Sequence, residues 1–126
     1  MAGMMLAELG AQVTKVESPS GPDPVRGQGL GGTPDGVNST FYSLNRGKRF
    51  CAVDGKTQRG RELLFDLVVS ADVFIHNMRP GKAEGLGLDY EALAAKNPRI
   101  IYGAITGHGP EGPEAHLPAY DYVVQA

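Results

Sequence analysis

The residues with the most chemical reach lie where a short apolar run gives way to polar side chains. Val73, Phe74 and Ile75 are followed directly by His76, Asn77, Met78, Arg79, Pro80 and Gly81. An amide that both donates and accepts, two residues from a forked cation, can hold a polar anionic ligand, and the proline–glycine pair lets the backbone come close to it. If residues 73–75 form a strand, this group stands at its carboxyl end, where open parallel sheets bind ligands. A second basic group, Lys48 and Arg49 in the run LNRGKR at 44–49, suits either a phosphate-bearing ligand or solvent. Glu17 ends another β-branched run and sits where a dinucleotide site holds its ribose. No G-x-G-x-x-G precedes it, so a solvated strand-end carboxylate is the plainer reading. His76, His108 and His116 have no serine or cysteine partner at a recognised spacing and read as structural. Cys51 reads as a small buried hydrophobe. Asp121, after Tyr120, reads as a helix cap or a group that orients a substrate.

Elements that would position these residues follow from local signals. Met1, Met5, Leu6 and Leu9 share a helical face, and Gly10 follows where a left-handed cap is wanted. Residues 12–17 (QVTKVE) read as a strand running into a turn-rich loop, residues 41–44 as a turn of helix, and residues 50–53 (FCAV) as a second strand ending at Asp54 and Gly55. Thr57 is the expected N-cap of a helix reaching about Ser70, because Leu63, Leu64, Leu67 and Val68 recur at helical spacing. Residues 73–75 then read as a buried strand, and 81–97 as one or two short helices ended by Asn97 and Pro98. Residues 99–105 (RIIYGAI) give a further strand, followed by a glycine–proline loop to Pro118 and the start of a helix over 119–126. Strands alternating with helices predict an α/β fold: a doubly wound, mostly parallel sheet of Rossmann-like type with helices on both faces. The chain opens in a helix rather than a first strand and closes in an apolar run with no cap, so it is expected to be one partial domain, 1–126, truncated at both ends.

Composition narrows the class. With 126 residues the chain suffices for one domain, and with 21% charged residues and a net charge of -2 it has no basic excess pointing to nucleic acid or an anionic membrane surface. No apolar run approaches the roughly 20 residues of a membrane span. One cysteine and no Cys/His cluster at ligand spacing predict neither an internal disulfide nor a metal site, and a cytoplasmic location is expected.

Residues 10–17 (GAQVTKVE), 44–49 (LNRGKR), 72–81 (DVFIHNMRPG), 97–102 (NPRIIY) and 118–121 (PAYD) follow in order the pattern of the class III CoA-transferases, the carnitine-CoA, formyl-CoA and bile-acid-CoA transferase family. The chain resembles the amino-terminal part of a family member over essentially its whole length. The resemblance implies coenzyme A lying along the carboxyl ends of the strands, with acyl-CoA as substrate and no metal. Val53, Asp54, Gly55 and Lys56 would meet it first, then Asn77, Met78 and Arg79, then Leu86, with Tyr120 near the thioester and Asp121 beside it in the vicinity of the substrate. Lys56 and Arg79 suit phosphate charge, and Val53, Met78 and Leu86 an apolar wall. In such enzymes an aspartate attacks the acyl-CoA thioester to form a mixed anhydride. That aspartate is expected beyond Ala126, so no catalytic residue is assigned in this chain. The partners implied are an acyl-CoA and a carboxylic acid acceptor, with a homodimer of interlocked chains.

The departures from the family pattern are specific. Ser18 stands where some relatives carry a nucleotide-gripping arginine, Gly85 where another basic residue occurs, and His76-Asn77-Met78 replaces the more usual Glu-Asn-Phe. The α-methylacyl-CoA racemases of the same family use a histidine where this chain has Tyr120, whose ordinary pKa of about 10 suits proton abstraction poorly, so transfer is favoured over racemisation. A non-catalytic module that binds coenzyme A or a partner chain is the alternative of a different class.

Overall fold

A computed structural model describes residues 1–27 and 38–119. The chain divides into two compact units, Met1–Gly55 and Lys56–Ala126. Helices alternate with parallel strands through both, so the α/β class expected from the sequence is observed.

In the first unit, α1 (Ala2–Glu8) ends as its sequence asks. Gly10 takes φ +96°, and the N–H groups of Gly10 and Ala11 return to the carbonyls of Ala7 and Leu6, both at 3.0 Å, satisfying two otherwise open helix-end acceptors. The expected apolar face of this helix is not buried: Met1, Met5 and Leu9 are all exposed. Next, β1 (Val13–Glu17) pairs in parallel with β2 (Lys48–Ala52), in the register Val13 to Lys48 and Glu17 to Ala52. Between them, α2 (Ser39–Asn45) starts at Asn38, whose side-chain oxygen accepts from Thr40 N at 2.6 Å, and it buries Phe41.

Glu17 is not a solvated carboxylate. Arg26, from a 3-10 turn at Pro24–Arg26, donates from Nε to Glu17 Oε2 at 3.0 Å, and Lys15 Nζ lies 3.3 Å from Oε1. Lys15 also pairs with Asp23, which caps the 3-10 turn by accepting from Val25 N at 2.9 Å. The Arg26 guanidinium lies 4.0 Å above the Phe41 ring, so the same cation ties the ion cluster to the aromatic core. Burial pushes the Glu17 carboxyl up, but hydrogen bonds and charge from Arg26 and Lys15 outweigh it and hold the group below its ordinary value.

In the second unit, α3 (Gln58–Val69) begins at Thr57, whose hydroxyl accepts from Gly60 N at 3.0 Å, and it buries Leu64 and Val68. β3 (Val73–His76) pairs in parallel with β4 (Ile101–Ala104), setting Phe74 beside Tyr102 and His76 beside Ala104. The short helices α4 (Lys82–Leu86) and α5 (Tyr90–Ala94) lie between these strands in sequence. Asn97 locks the connection: its amide nitrogen donates to the carbonyls of Val69 and Ala71, each at 3.0 Å, and its oxygen accepts from Arg99 N at 3.1 Å. Leu88, Leu93 and Ile100 form the core with Leu64, Val68 and Ala83, and Leu93 is completely buried.

The strand at 73–75 is less buried than its composition predicts. Val73, Ile75 and Ile101 share one sheet face and are 40%, 38% and 63% exposed. The aromatic side chains Phe74, Tyr102 and Tyr90 gather instead on the opposite face, with ring centroids 5.5 Å apart for Phe74–Tyr102 and 6.0 Å for Tyr90–Tyr102.

Candidate functional site

β3 ends at His76, and His76, Met78, Arg79 and Pro80 line a cleft of about 240 Å³, with Asn77 between them in sequence. Its walls include His76, Met78, Arg79, Glu84, Tyr90 and Tyr102. Pro80 and Gly81 turn the chain from strand into α4, and Gly81 takes φ +80°, a conformation in which a side chain would be strained. Asn77 and Arg79 are exposed, and among the described residues neither side chain has a hydrogen-bond or ion-pair partner. Both are therefore free to meet a ligand without giving up an internal contact.

Charge in this cleft is mixed. Arg79 brings one cation, while Glu84, Asp89 and Glu91 bring carboxylates. Asp89 is committed to capping α5, accepting from Ala92 N at 2.9 Å. Burial raises the Tyr102 phenol above its ordinary range, and the three carboxylates push in the same direction. His76 is lowered by burial, with Glu84 opposing, so it is neutral at neutral pH.

The other sequence-singled residues fall in different places. Leu86 lines a second, wider concavity with Arg59, Phe65 and Asp66 and takes no part in the cleft of Met78 and Arg79. Val53 is buried after β2, with its N–H on the Glu17 carbonyl at 3.0 Å, and Asp54 and Gly55 are half-buried at the end of the first unit. Lys56 is exposed, and its carbonyl accepts from Arg61 Nη1 at 3.1 Å. Tyr120 and Asp121 lie outside the described residues, as do Gly32 and Gly36 of the turn-rich loop.

Lys48 is not a free phosphate-binding group. Its Nζ donates to the Leu44 carbonyl at 2.8 Å and to Asn45 Oδ1 at 3.0 Å, closing the carboxyl end of α2. Cys51 is half-buried in β2, and His108 lies 3.4 Å from Glu114 within the last loop. Among the described residues no group of His, Cys, Asp and Glu side chains has metal-binding geometry. No helix among them is long and apolar enough to cross a membrane.

Sequence reasoning missed the side chains that shape the cleft from below. Tyr102 reads as one residue of a strand, and only the register of β3 against β4 brings its hydroxyl to His76. The one available signal was the strand period of two, which puts Phe74 and His76 on the same face.

Comparison with known proteins agrees with the motif order. Over 98% of its length the chain is 45% identical to the succinate–glutarate CoA-transferase of Agrobacterium fabrum, covering 32% of that protein. It is 41% identical to the formyl-CoA:oxalate CoA-transferase of Streptomyces avermitilis over 99% of its length, covering 30% of that protein. The crystal structure of a CAIB/BAIF family protein from Brucella suis superposes with a TM-score of 0.87 at 45% identity, over 98% of this chain and 33% of that one. The chain thus spans about a third of the length of the relatives it matches. The pattern of CoA-transferase family III matches residues 1–126, and the chain belongs to that family.

Proposed function

We propose that this chain supplies coenzyme A-binding residues of an enzyme that moves coenzyme A from an acyl-CoA to a carboxylic acid. The observation that carries the reading is the family match over residues 1–126. The cleft at the end of β3 supports it chemically. The unpartnered Arg79 guanidinium and Asn77 amide suit the phosphate oxygens and amides of coenzyme A, and Met78 offers an adaptable apolar wall to the pantetheine arm. Lys56 is a further candidate cation. Leu86, on a separate concavity, is the weakest member of the set. Val53, Asp54, Gly55, Tyr120 and Asp121 enter from the family resemblance alone.

In this reading the reaction proceeds through an aspartate carboxylate outside residues 1–126. It attacks the acyl-CoA carbonyl and expels the coenzyme A thiolate, leaving a mixed anhydride. The thiolate then attacks the aspartyl carbonyl, releasing the donor acid and leaving an enzyme thioester. The acceptor carboxylate attacks that thioester and expels the thiolate, leaving a second mixed anhydride, and the thiolate finally attacks the acceptor acyl carbonyl and frees the aspartate. This chain's part is to hold the thiolate between steps, when escape to solvent would end the exchange. The same reading expects a homodimer and a cytoplasmic location.

Dicarboxylates are the first acceptors to try, because the names of the relatives above include succinate, glutarate and oxalate. A protein carrying this chain at the length of its relatives is expected to move coenzyme A from succinyl-CoA to an isotopically labelled dicarboxylic acid. Exchange of the α-proton of a branched acyl-CoA without transfer would instead establish racemisation. Binding of coenzyme A with neither reaction would leave only the non-catalytic module.

A further inference from the structure

His76 is hydrogen-bonded at both ring nitrogens. Nδ1 lies 3.1 Å from Met78 N, and Nε2 lies 2.7 Å from Tyr102 Oη. A backbone N–H can only donate, so Nδ1 is the acceptor and carries no proton. In the neutral ring the proton is then on Nε2 and is donated to Tyr102 Oη. The Tyr102 hydroxyl in turn donates a hydrogen bond to the Leu88 carbonyl at 3.1 Å, which can only accept. Every direction in this relay is thus set by its two main-chain ends. One end is anchored in the core, since Leu88 is 3% exposed and its N–H is held by the Ala83 carbonyl at 2.9 Å. The other end is the backbone between Asn77 and Arg79.

The contact from His76 to Met78 has the connectivity of an Asx-turn, a side-chain acceptor taking the N–H two residues on, here made by an imidazole. It fixes the one peptide N–H that lies between the unpartnered Asn77 amide and the Arg79 guanidinium. We propose that His76 is a positioning residue for coenzyme A: its neutral Nε2–H tautomer holds the 77–79 backbone in the binding conformation, and protonation at Nδ1 releases it. The proposal rests on the reading of 77–79 as coenzyme A contacts.

Protonated Nδ1 would face the Met78 N–H donor to donor, so the tie cannot survive the cation. The ring contacts Tyr102 of β4 and feels the charge of Glu84 of α4, and the cleft it lines also holds Asp89, Tyr90 and Glu91 at the start of α5 and Arg79 on the segment itself. Burial outweighs Glu84, which favours the cation, and keeps the histidine below its ordinary 6.5. The tie is therefore intact at neutral pH and is lost as the pH falls through the lowered folded value.

The test begins on the unmodified chain without ligand, where the ¹⁵N shifts of the His76 ring at pH 7.5 are expected to report the Nε2–H tautomer. A proton on Nδ1 would overturn the proposal. Two variants then separate positioning from packing: His76→Asn keeps an acceptor for the Met78 N–H but does not titrate, and His76→Phe keeps a ring without an acceptor. Coenzyme A is expected to bind His76→Phe about tenfold more weakly than the wild type, the loss typical of one hydrogen bond, with His76→Asn recovering most of it. As the pH falls through the lowered folded value of His76, the wild type should lose affinity faster than His76→Asn, whose own pH dependence accounts for the phosphates of the ligand. Wild-type affinity in His76→Phe would show that the ring only fills space, equal loss in both variants that the acceptor is not what matters, and identical pH profiles for wild type and His76→Asn that the ring does not titrate in the working range; each overturns the proposal. Failure of the wild type to bind at all overturns the site reading itself, whereas binding by a wild type with the Nδ1–H tautomer overturns the positioning role alone.

Discussion

Coenzyme A is expected to bind the Asn77→Ala, Arg79→Ala double variant about a hundredfold more weakly than the unmodified protein. A charge-assisted hydrogen bond to a phosphate is worth about 1.5–3 kcal/mol and a neutral one about 1, and the two losses multiply in affinity. The cleft amplifies the effect of losing Arg79. With the guanidinium gone, Glu84, Asp89 and Glu91 remain, and their field repels a phosphate that nothing then offsets. Neither side chain makes an internal contact, so the double variant should retain the stability of the parent. Titration calorimetry measures the affinity and a thermal melt verifies the fold. An unchanged affinity would remove the 77–79 segment from the site.

The second large effect is on stability, and it falls in the first unit. Glu17→Gln is expected to lower the unfolding free energy of the chain at neutral pH by about 1–3 kcal/mol, because it strips the anion from Arg26 and Lys15. Arg26 is 35% exposed and keeps part of its hydration, which places the expected loss toward the lower end of that range. The pH dependence has a definite sign. The folded Glu17 titrates below its ordinary 4.5, so its contribution is fully present above that value and is lost as the pH falls through the folded one. Urea midpoints measured from pH 7 downward should therefore fall more steeply for the wild type than for Glu17→Gln. Parallel curves would mean that the cluster contributes nothing to the fold.

What was legible in the sequence was local. Thr57 announced the start of α3, Gly10 the end of α1, and Asn97 with Pro98 the end of the short helices, because caps and breakers act within a few residues of themselves. The strand-end placement of Asn77 and Arg79 was legible for the same reason. Pairings that depend on the path of a loop or the register of two strands were not. Nothing in the spacing of Glu17 and Arg26 says that a 3-10 turn brings them to 3.0 Å. Lys48 carries the same charge whether it faces solvent or turns back onto the end of α2. Leu86, named with Met78 in the apolar wall that the family resemblance implies, lines a different concavity, which no spacing in the sequence announces. His76 and Tyr102, which shape the site most directly, are 26 residues apart and meet only because β3 and β4 pair in one register.

The central claim is that coenzyme A meets this chain at the carboxyl end of β3, and mapping the backbone amides by ¹⁵N–¹H correlation during a titration with coenzyme A tests it most directly. The account predicts saturable shifts that are largest at Asn77, Met78 and Arg79 and extend to Glu84, Tyr90 and Tyr102 around the cleft. Saturable shifts centred elsewhere, or a well-dispersed spectrum that coenzyme A leaves unchanged, would contradict it.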